Sequence, residues 1–183
     1  MAEPVTRLFF ALWPDAETAR QIWQATATLV PKGVGRRLPP EQIHITLAFL
    51  GSLKPEQQTC MEAAASGVSG QAFDLLLDQP GHFPRPQVVW LGASQMPAAL
   101  ANMQQELVRQ LTSRCQYQAE QRAFVPHITL WRKVRRVELT ENMPPIVWNV
   151  QRFVLASSQT LPTGAQYSIV REWPLTVPAG GPY

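Results

Sequence analysis

His44-Ile45-Thr46-Leu47 and His127-Ile128-Thr129-Leu130 are one tetrapeptide written twice, and they hold two of the chain's three histidines. Each lies in a short β-favouring run, from Gln42 to Gly51 in the first case and from Pro126 to Arg132 in the second. Successive side chains of a strand point to opposite faces. His44 and Thr46 therefore share one face, with Ile45 and Leu47 on the other, and the second copy divides in the same way. The aliphatic pair marks the core face, because a slip of one residue would bury the imidazole. Each copy thus offers an imidazole and a hydroxyl about 7 Å apart along a polar face. Continued along the strand, the same parity places Trp131 with His127 and sets Phe49 opposite His44.

The sequence leading into each tetrapeptide is also repeated in kind. Before the first come an apolar strand-like run, Arg7 to Trp13, and a helical pattern with Ala16, Ala19, Ile22, Trp23, Ala27 and Val30 on one stripe. Asp15 is placed to cap that helix and Pro31 to stop it. Before the second come Val88 to Gly92 and then Pro97 to Cys115, with Leu100, Met103, Leu107, Val108 and Leu111 at helical spacing. A strand–helix–strand unit is therefore present twice, each copy ending in the same four residues. Pro55 to Ala65 reads as a further helix. Phe73 to Leu77 reads as a strand, followed by a proline-rich connection from Pro80 to Pro86. Ile146 to Ser157 and Gln166 to Trp173 supply two late strands, and Pro178 to Tyr183 reads as a loose end. The expected fold is α+β: one domain over residues 1–183, bilobal, with duplicated strand–helix–strand units. Two antiparallel sheets packed by helices would enclose a central cleft, with the histidine strands facing each other.

Composition narrows the function classes. With 183 residues the chain can bury a core without metal or disulfide staples. No apolar run approaches the ~20 residues of a membrane span, and the first residues lack the pattern of a secretory leader. The expectation is a cytoplasmic protein with no membrane association and no obligate protein partner. Cys60 and Cys115 are too few and too far apart to imply a disulfide framework or a zinc knuckle; both fall in apolar-striped helical stretches and are expected in the core. A net charge of +3 is far below that of a histone-like binder. The basic excess is local, in Lys32 to Arg37 and Arg132 to Arg136, where it can contact a few phosphates or simply be solvated.

Paired imidazoles and hydroxyls, with little else, suit displacement at phosphorus. Histidine titrates near neutrality, so one copy can serve as acid and the other as base. Threonine hydroxyls donate to the non-bridging oxygens where charge accumulates, and Arg132, three residues beyond Thr129, can add a guanidinium. Phe9, Phe49 and Trp131 lie on or beside these strands and are candidates for stacking on a base, Trp131 foremost by parity. His82, without a threonine partner, reads as a surface or structural residue. A metal centre would need three or four ligands, and Glu41 is the nearest carboxylate to either motif. No glycine-rich nucleotide-binding loop is present, so no cofactor is expected.

The order of these residues resembles the 2H phosphoesterase superfamily, and within it the bacterial RNA 2',3'-cyclic phosphodiesterases, also called 2'-5' RNA ligases. The resemblance runs through Arg7-Leu8-Phe9-Phe10-Ala11, the first motif to Gly51, and Val89-Trp90-Leu91-Gly92. It continues through Phe124-Val125-Pro126 into the second motif with Arg132, then Phe153 to Ser158, Tyr167 and Trp173. It implies hydrolysis of a terminal 2',3'-cyclic phosphate on RNA to a 2'-phosphate, with no metal or cofactor. It also implies weak, reversible joining of RNA ends through a 2'-5' bond. In that reading His44 is the proton donor, His127 the proton acceptor, and Thr46 and Thr129 hold the phosphate; the residues alone leave the two histidines interchangeable. Two alternatives stay open: a non-catalytic binder of RNA ends or nucleotides, and a related phosphodiesterase for another substrate such as 2'-5' oligonucleotides.

Overall fold

In a computed structural model the chain is described over residues 6–140, 143–161 and 164–177; the end from Pro178 to Tyr183 lies outside the described residues. Three helices and ten strands are present among those residues. The first unit is β1 (Thr6–Leu12), α1 (Ala16–Ala25) and β3 (Ile45–Gly51), with a two-residue strand β2 (Arg36–Arg37) on the way. Then come α2 (Pro55–Ala65), β4 (Phe73–Leu77) and β5 (Gln79–Phe83). The second unit is β6 (Val88–Gly92), α3 (Ala98–Cys115) and β7 (His127–Arg132). The chain finishes with β8 (Ile146–Val150), β9 (Arg152–Leu161) and β10 (Gly164–Pro174).

Two antiparallel sheets form, as expected, but they are unequal. The larger has eight strands in the order β10-β9-β1-β3-β7-β6-β5, with β2 added beside β7; the smaller is β4 with β8. The middle of the large sheet is palindromic. β1 and β3 pair antiparallel around α1, β6 and β7 do the same around α3, and the halves meet where β3 lies against β7. That junction is a single residue pair, Ile45 opposite Ile128. The histidine strands are thus neighbours in one sheet that diverge from a common point, and the divergence opens the cleft.

Local chemistry accounts for most of the elements and for the departures. Asp15 caps α1, accepting the Thr18 N–H at 2.7 Å. The helix ends at Ala25, five residues short of Val30: Thr26 and Thr28 are β-branched poor helix formers, and the buried Thr26 hydroxyl donates back to the Ile22 carbonyl at 2.9 Å. Leu29 and Val30 still reach the core, from a turn. The proline-rich connection is partly a strand, because β5 is the outermost strand at its end of the sheet, where Pro80 is tolerated. The late run from Ile146 is cut at Gln151, where the chain passes from the small sheet into the large one. The main core lies on one face of the large sheet, around Phe10, Leu12, Ile45, Leu91, Leu100, Leu107 and Ile128.

The cysteines overturn the expectation of a buried thiol pair. Cys60 in α2 and Cys115 at the end of α3 are half-exposed and joined as a disulfide, with Cα atoms 5.8 Å apart. Packing of α2 against α3 creates that proximity, which no sequence separation reveals.

Candidate active site

Both histidines sit on the face of the large sheet away from the main core. Each imidazole is anchored by the carbonyl two residues before it: His44 Nδ1 to Gln42 O at 2.7 Å, and His127 Nδ1 to Val125 O at 2.8 Å. A carbonyl oxygen only accepts, so Nδ1 carries a hydrogen in both rings and Nε2 is left to give or take the working proton. Thr46 and Thr129 follow on the same face, as alternation requires.

Beyond the threonines the alternation breaks, identically in the two copies. Phe10 faces Ala48 and Ala11 faces Thr46, which leaves Leu47 as an extra residue; Val89 faces Trp131 and Trp90 faces Thr129, which leaves Leu130 extra. Each fourth residue of the tetrapeptide is thus a β-bulge, and a bulge re-aims the side chains beyond it. Parity placed Trp131 in the cleft, but the bulge sends it to the core, 4% exposed. There the Arg37 guanidinium is sandwiched between Trp131 and Trp23, 4.8 and 4.1 Å from the ring centroids. Trp131 is therefore unavailable for stacking on a base. The same inversion turns Phe49, 47% exposed, onto the open face. It also swings Arg132 onto that face, at the opposite end of the cleft.

Arg36 joins it. β2 lies antiparallel on β7 with Arg36 directly opposite Arg132 and Arg37 opposite Trp131, so the basic pair divides, one cation to the cleft and one to the core. Gly35 makes this approach possible: its φ is +65°, and a Cβ there would lie 2.4 Å from Val134 Cγ2 and 2.8 Å from the Arg132 carbonyl oxygen. Sequence reasoning found the basic stretch but could not separate its two arginines.

The two imidazoles have different surroundings. His44 stacks on Trp13, with centroids 4.9 Å apart and planes 7° apart, and has Phe9 at 5.1 Å and Tyr167 at 5.3 Å. Phe9 is 4% exposed and forms the floor beneath His44. It braces the ring and offers no open platform. Burial in this aromatic box lowers the pKa of His44 to about 4; the Gln42 carbonyl opposes the shift, while the nearby charges of Arg132 and His127 add to it. His127 instead has Phe83 edge-on at 5.4 Å and Trp90 at 6.3 Å. The Trp90 ring lies across Gly81, where a Cβ would come within 2.1 Å of it. Trp13 and Trp90 escaped the sequence reading, although Trp13 continues the alternation of Phe9 and Ala11. His82 is structural, its Nε2 bonded to the Val134 carbonyl at 2.8 Å. Among the described residues, no group of three or more His, Cys, Asp or Glu is placed to share a cation.

Duplicated half-sheets carrying two carbonyl-anchored imidazoles, each with a hydroxyl two residues on, define the class of two-histidine phosphoesterases. Within that class the chain belongs to the 2'-5' RNA ligase superfamily, whose family model matches residues 11–160. It is similar to the RNA 2',3'-cyclic phosphodiesterase of Escherichia coli K12, 35% identical over 178 residues that cover 96% of this chain and 99% of that one. The protein of the same description from Thermotoga maritima is 30% identical, over 91% and 94% of the two chains. Among solved structures, E. coli LigT complexed with 3'-AMP superposes with a TM-score of 0.80 at 32% identity, covering 95% of this chain and 99% of that one.

Proposed function

We propose that this chain is an RNA 2',3'-cyclic phosphodiesterase that opens the terminal cyclic phosphate to a 2'-phosphate by acid–base catalysis from two histidines. The observation that carries this reading is the pair of carbonyl-anchored rings: both Nδ1 atoms are committed to the backbone, so both Nε2 atoms are free for the reacting oxygens. His127 accepts a proton from water as its oxygen bonds to phosphorus. His44 gives a proton to the 3'-oxygen as the P–O3' bond breaks, leaving the phosphate on O2'. Thr46 and Thr129 donate hydrogen bonds to the non-bridging oxygens, and Arg132 adds positive charge where the transition state gathers negative charge. His44 rests neutral in the free protein, and the arriving phosphate anion holds a proton on it. With a 5'-hydroxyl of another strand in place of water, the same displacement joins RNA ends through a 2'-5' bond: His127 takes that hydroxyl's proton, P–O3' breaks and O3' leaves with the proton of His44. Attack by O3' in the back reaction reopens the bond.

The partners on this reading are RNA strands ending in a 2',3'-cyclic phosphate or a 2'-phosphate, and the compartment is the cytoplasm. A reducing cytoplasm opens disulfides of this kind; neither Cys60 nor Cys115 lines the cleft, so the chemistry does not depend on that bond. The test is phosphorus NMR of a dinucleotide 2',3'-cyclic phosphate incubated with the protein in EDTA. A 2'-phosphate product is expected. Unchanged substrate, or a 3'-phosphate, refutes the proposal.

A further inference from the structure

A groove of about 1080 Å³ begins at Thr46 and His127 and runs away from Arg132, between Phe49 on one side and the segments around Arg85 and Phe124 on the other. Its volume sits at the top of the range of about 300–1,000 Å³ that one drug-sized ligand fills. A single nucleotide leaves much of it empty.

Its lining is suited to a polynucleotide. Phe49 is exposed, turned onto this face by the Leu47 bulge. Phe83 and Phe124 are half-buried along the same groove. Three arginines line it, and they are not equivalent: Arg109 is committed to Glu106 through two hydrogen bonds of 2.7 Å, whereas Arg85 and Arg122 have no carboxylate partner among the described residues. Among those residues Glu120 is the one carboxylate on the lining, and its charge acts on Tyr117. Aromatic faces for bases beside unpaired guanidinium groups for phosphates are the components of a single-strand track.

We infer that this groove holds the nucleotides upstream of the one that reacts, with a base stacked on Phe49 and the strand's internal phosphates on Arg85 and Arg122. The inference rests on the proposed phosphodiesterase activity and adds where the rest of the RNA lies. It makes the enzyme a reader of strand length: a mononucleoside cyclic phosphate fills only the Thr46–His127 end, while an oligonucleotide fills the track.

The experiment compares a mononucleoside 2',3'-cyclic phosphate with a tetranucleotide carrying the same cyclic end, in wild type, in the Arg85→Ser/Arg122→Ser double variant and in Phe49→Ala. In wild type the tetranucleotide is expected to show a KM about 10-fold or more below that of the mononucleotide. The double variant is expected to lose most of this advantage, while its mononucleotide kinetics stay within about twofold, since the mononucleotide has no second phosphate to lose. Its tetranucleotide KM should also respond less steeply to salt, by about 0.7 in the log–log slope for each phosphate contact removed. Phe49→Ala should raise the tetranucleotide KM by about 5- to 100-fold without altering that salt slope. Equal KM values for the two substrates in wild type, or a length advantage that survives the double variant, would overturn the inference and leave the phosphodiesterase intact. Failure of wild type to open even the mononucleotide would refute the phosphodiesterase itself, and the inference would fall with it.

Discussion

Burial holds His44 neutral in the free protein, and the proposed chemistry requires an arriving anion to restore its proton, which can be measured. Its pKa lies at about 4 in the free protein, against an ordinary value of 6.5. At about 1.4 kcal/mol per pH unit, holding the proton costs on the order of 3 kcal/mol, somewhat less because the ring keeps some contact with water. A doubly charged anion about 4 Å from the ring, in surroundings of effective dielectric near 20, returns about 4 kcal/mol for each unit of charge. The anion wins, so an occupied site should carry His44 protonated at neutral pH. Sulfate is the probe of choice, since it has no titration of its own near neutrality. The assay is an NMR pH titration of the imidazole C–H resonances with and without saturating sulfate, the His44 signal being identified by its loss in His44→Gln. We expect that signal to titrate near pH 4 in the free protein and above pH 6 with sulfate. Titration at the ordinary histidine value in the free protein would refute the burial argument. A signal that sulfate leaves unmoved would refute the placement of Nε2 at the anion site.

Other outcomes are set by the same geometry. The folded chain holds the His44 proton more weakly than the unfolded chain, so the unfolded state binds more protons between pH 6.5 and about 4. Stability should therefore fall as pH drops through that window, by on the order of 2 kcal/mol, and urea unfolding at pH 7 and pH 4.5 should show the slope flattened in His44→Gln. Arg132→Met removes a charge that presses against His44 protonation; kcat for a cyclic phosphate should drop by about 10- to 1,000-fold, while the His44 titration in the free protein moves upward, and wild-type kcat in this variant would count against Arg132. Gly35→Ala puts a methyl 2.4 Å from Val134 Cγ2 and should detach β2, costing about 1–3 kcal/mol by thermal unfolding, with a raised KM as Arg36 leaves the cleft. Reducing Cys60–Cys115 opens a sequence separation of 55 residues, which chain entropy values at up to about 4 kcal/mol; the melting temperature should fall in reductant while kcat/KM at 25 °C stays unchanged.

The duplicated units, the core face of each motif strand and the pairing of imidazole with hydroxyl were all legible in the sequence, because they rest on period-two alternation and on a repeated tetrapeptide. Trp131 and Phe49 were not. Their facing depends on a bulge at Leu130 and at Leu47, and a bulge is a property of pairing with a neighbouring strand, invisible within the strand itself. The division of Arg36 from Arg37 was hidden for the same reason, since it is set by how β2 lies on β7. The disulfide depended on helix packing. The helix end at Ala25 was readable in principle from Thr26 and Thr28, but the apolar stripe running on to Val30 masked it, because a buried turn satisfies the same periodicity.

The chain carries the same tetrapeptide on two strands, and the proposed chemistry by acid and base needs the two copies unlike. The tetrapeptides themselves do not differ: each holds an imidazole, a hydroxyl and the bulge. The difference is therefore placed in the side chains packed around each ring and, two residues beyond the bulge, in Phe49 and Arg132. Around His44 stand Phe9, Trp13 and Tyr167, which exclude water and keep the ring neutral until charge arrives. Around His127 stand Phe83 and Trp90, which steady the ring but leave it on the wall of an open groove. The bulge then directs Phe49 to one end of the cleft and Arg132 to the other, positions that are equivalent by the pseudo-symmetry and opposite in chemistry. On the proposed reading the Phe49 end takes the upstream strand and the Arg132 end lends positive charge to the reacting phosphate. On that reading the direction of a strand in the cleft follows from this contrast, although the two motifs beneath it are the same four residues.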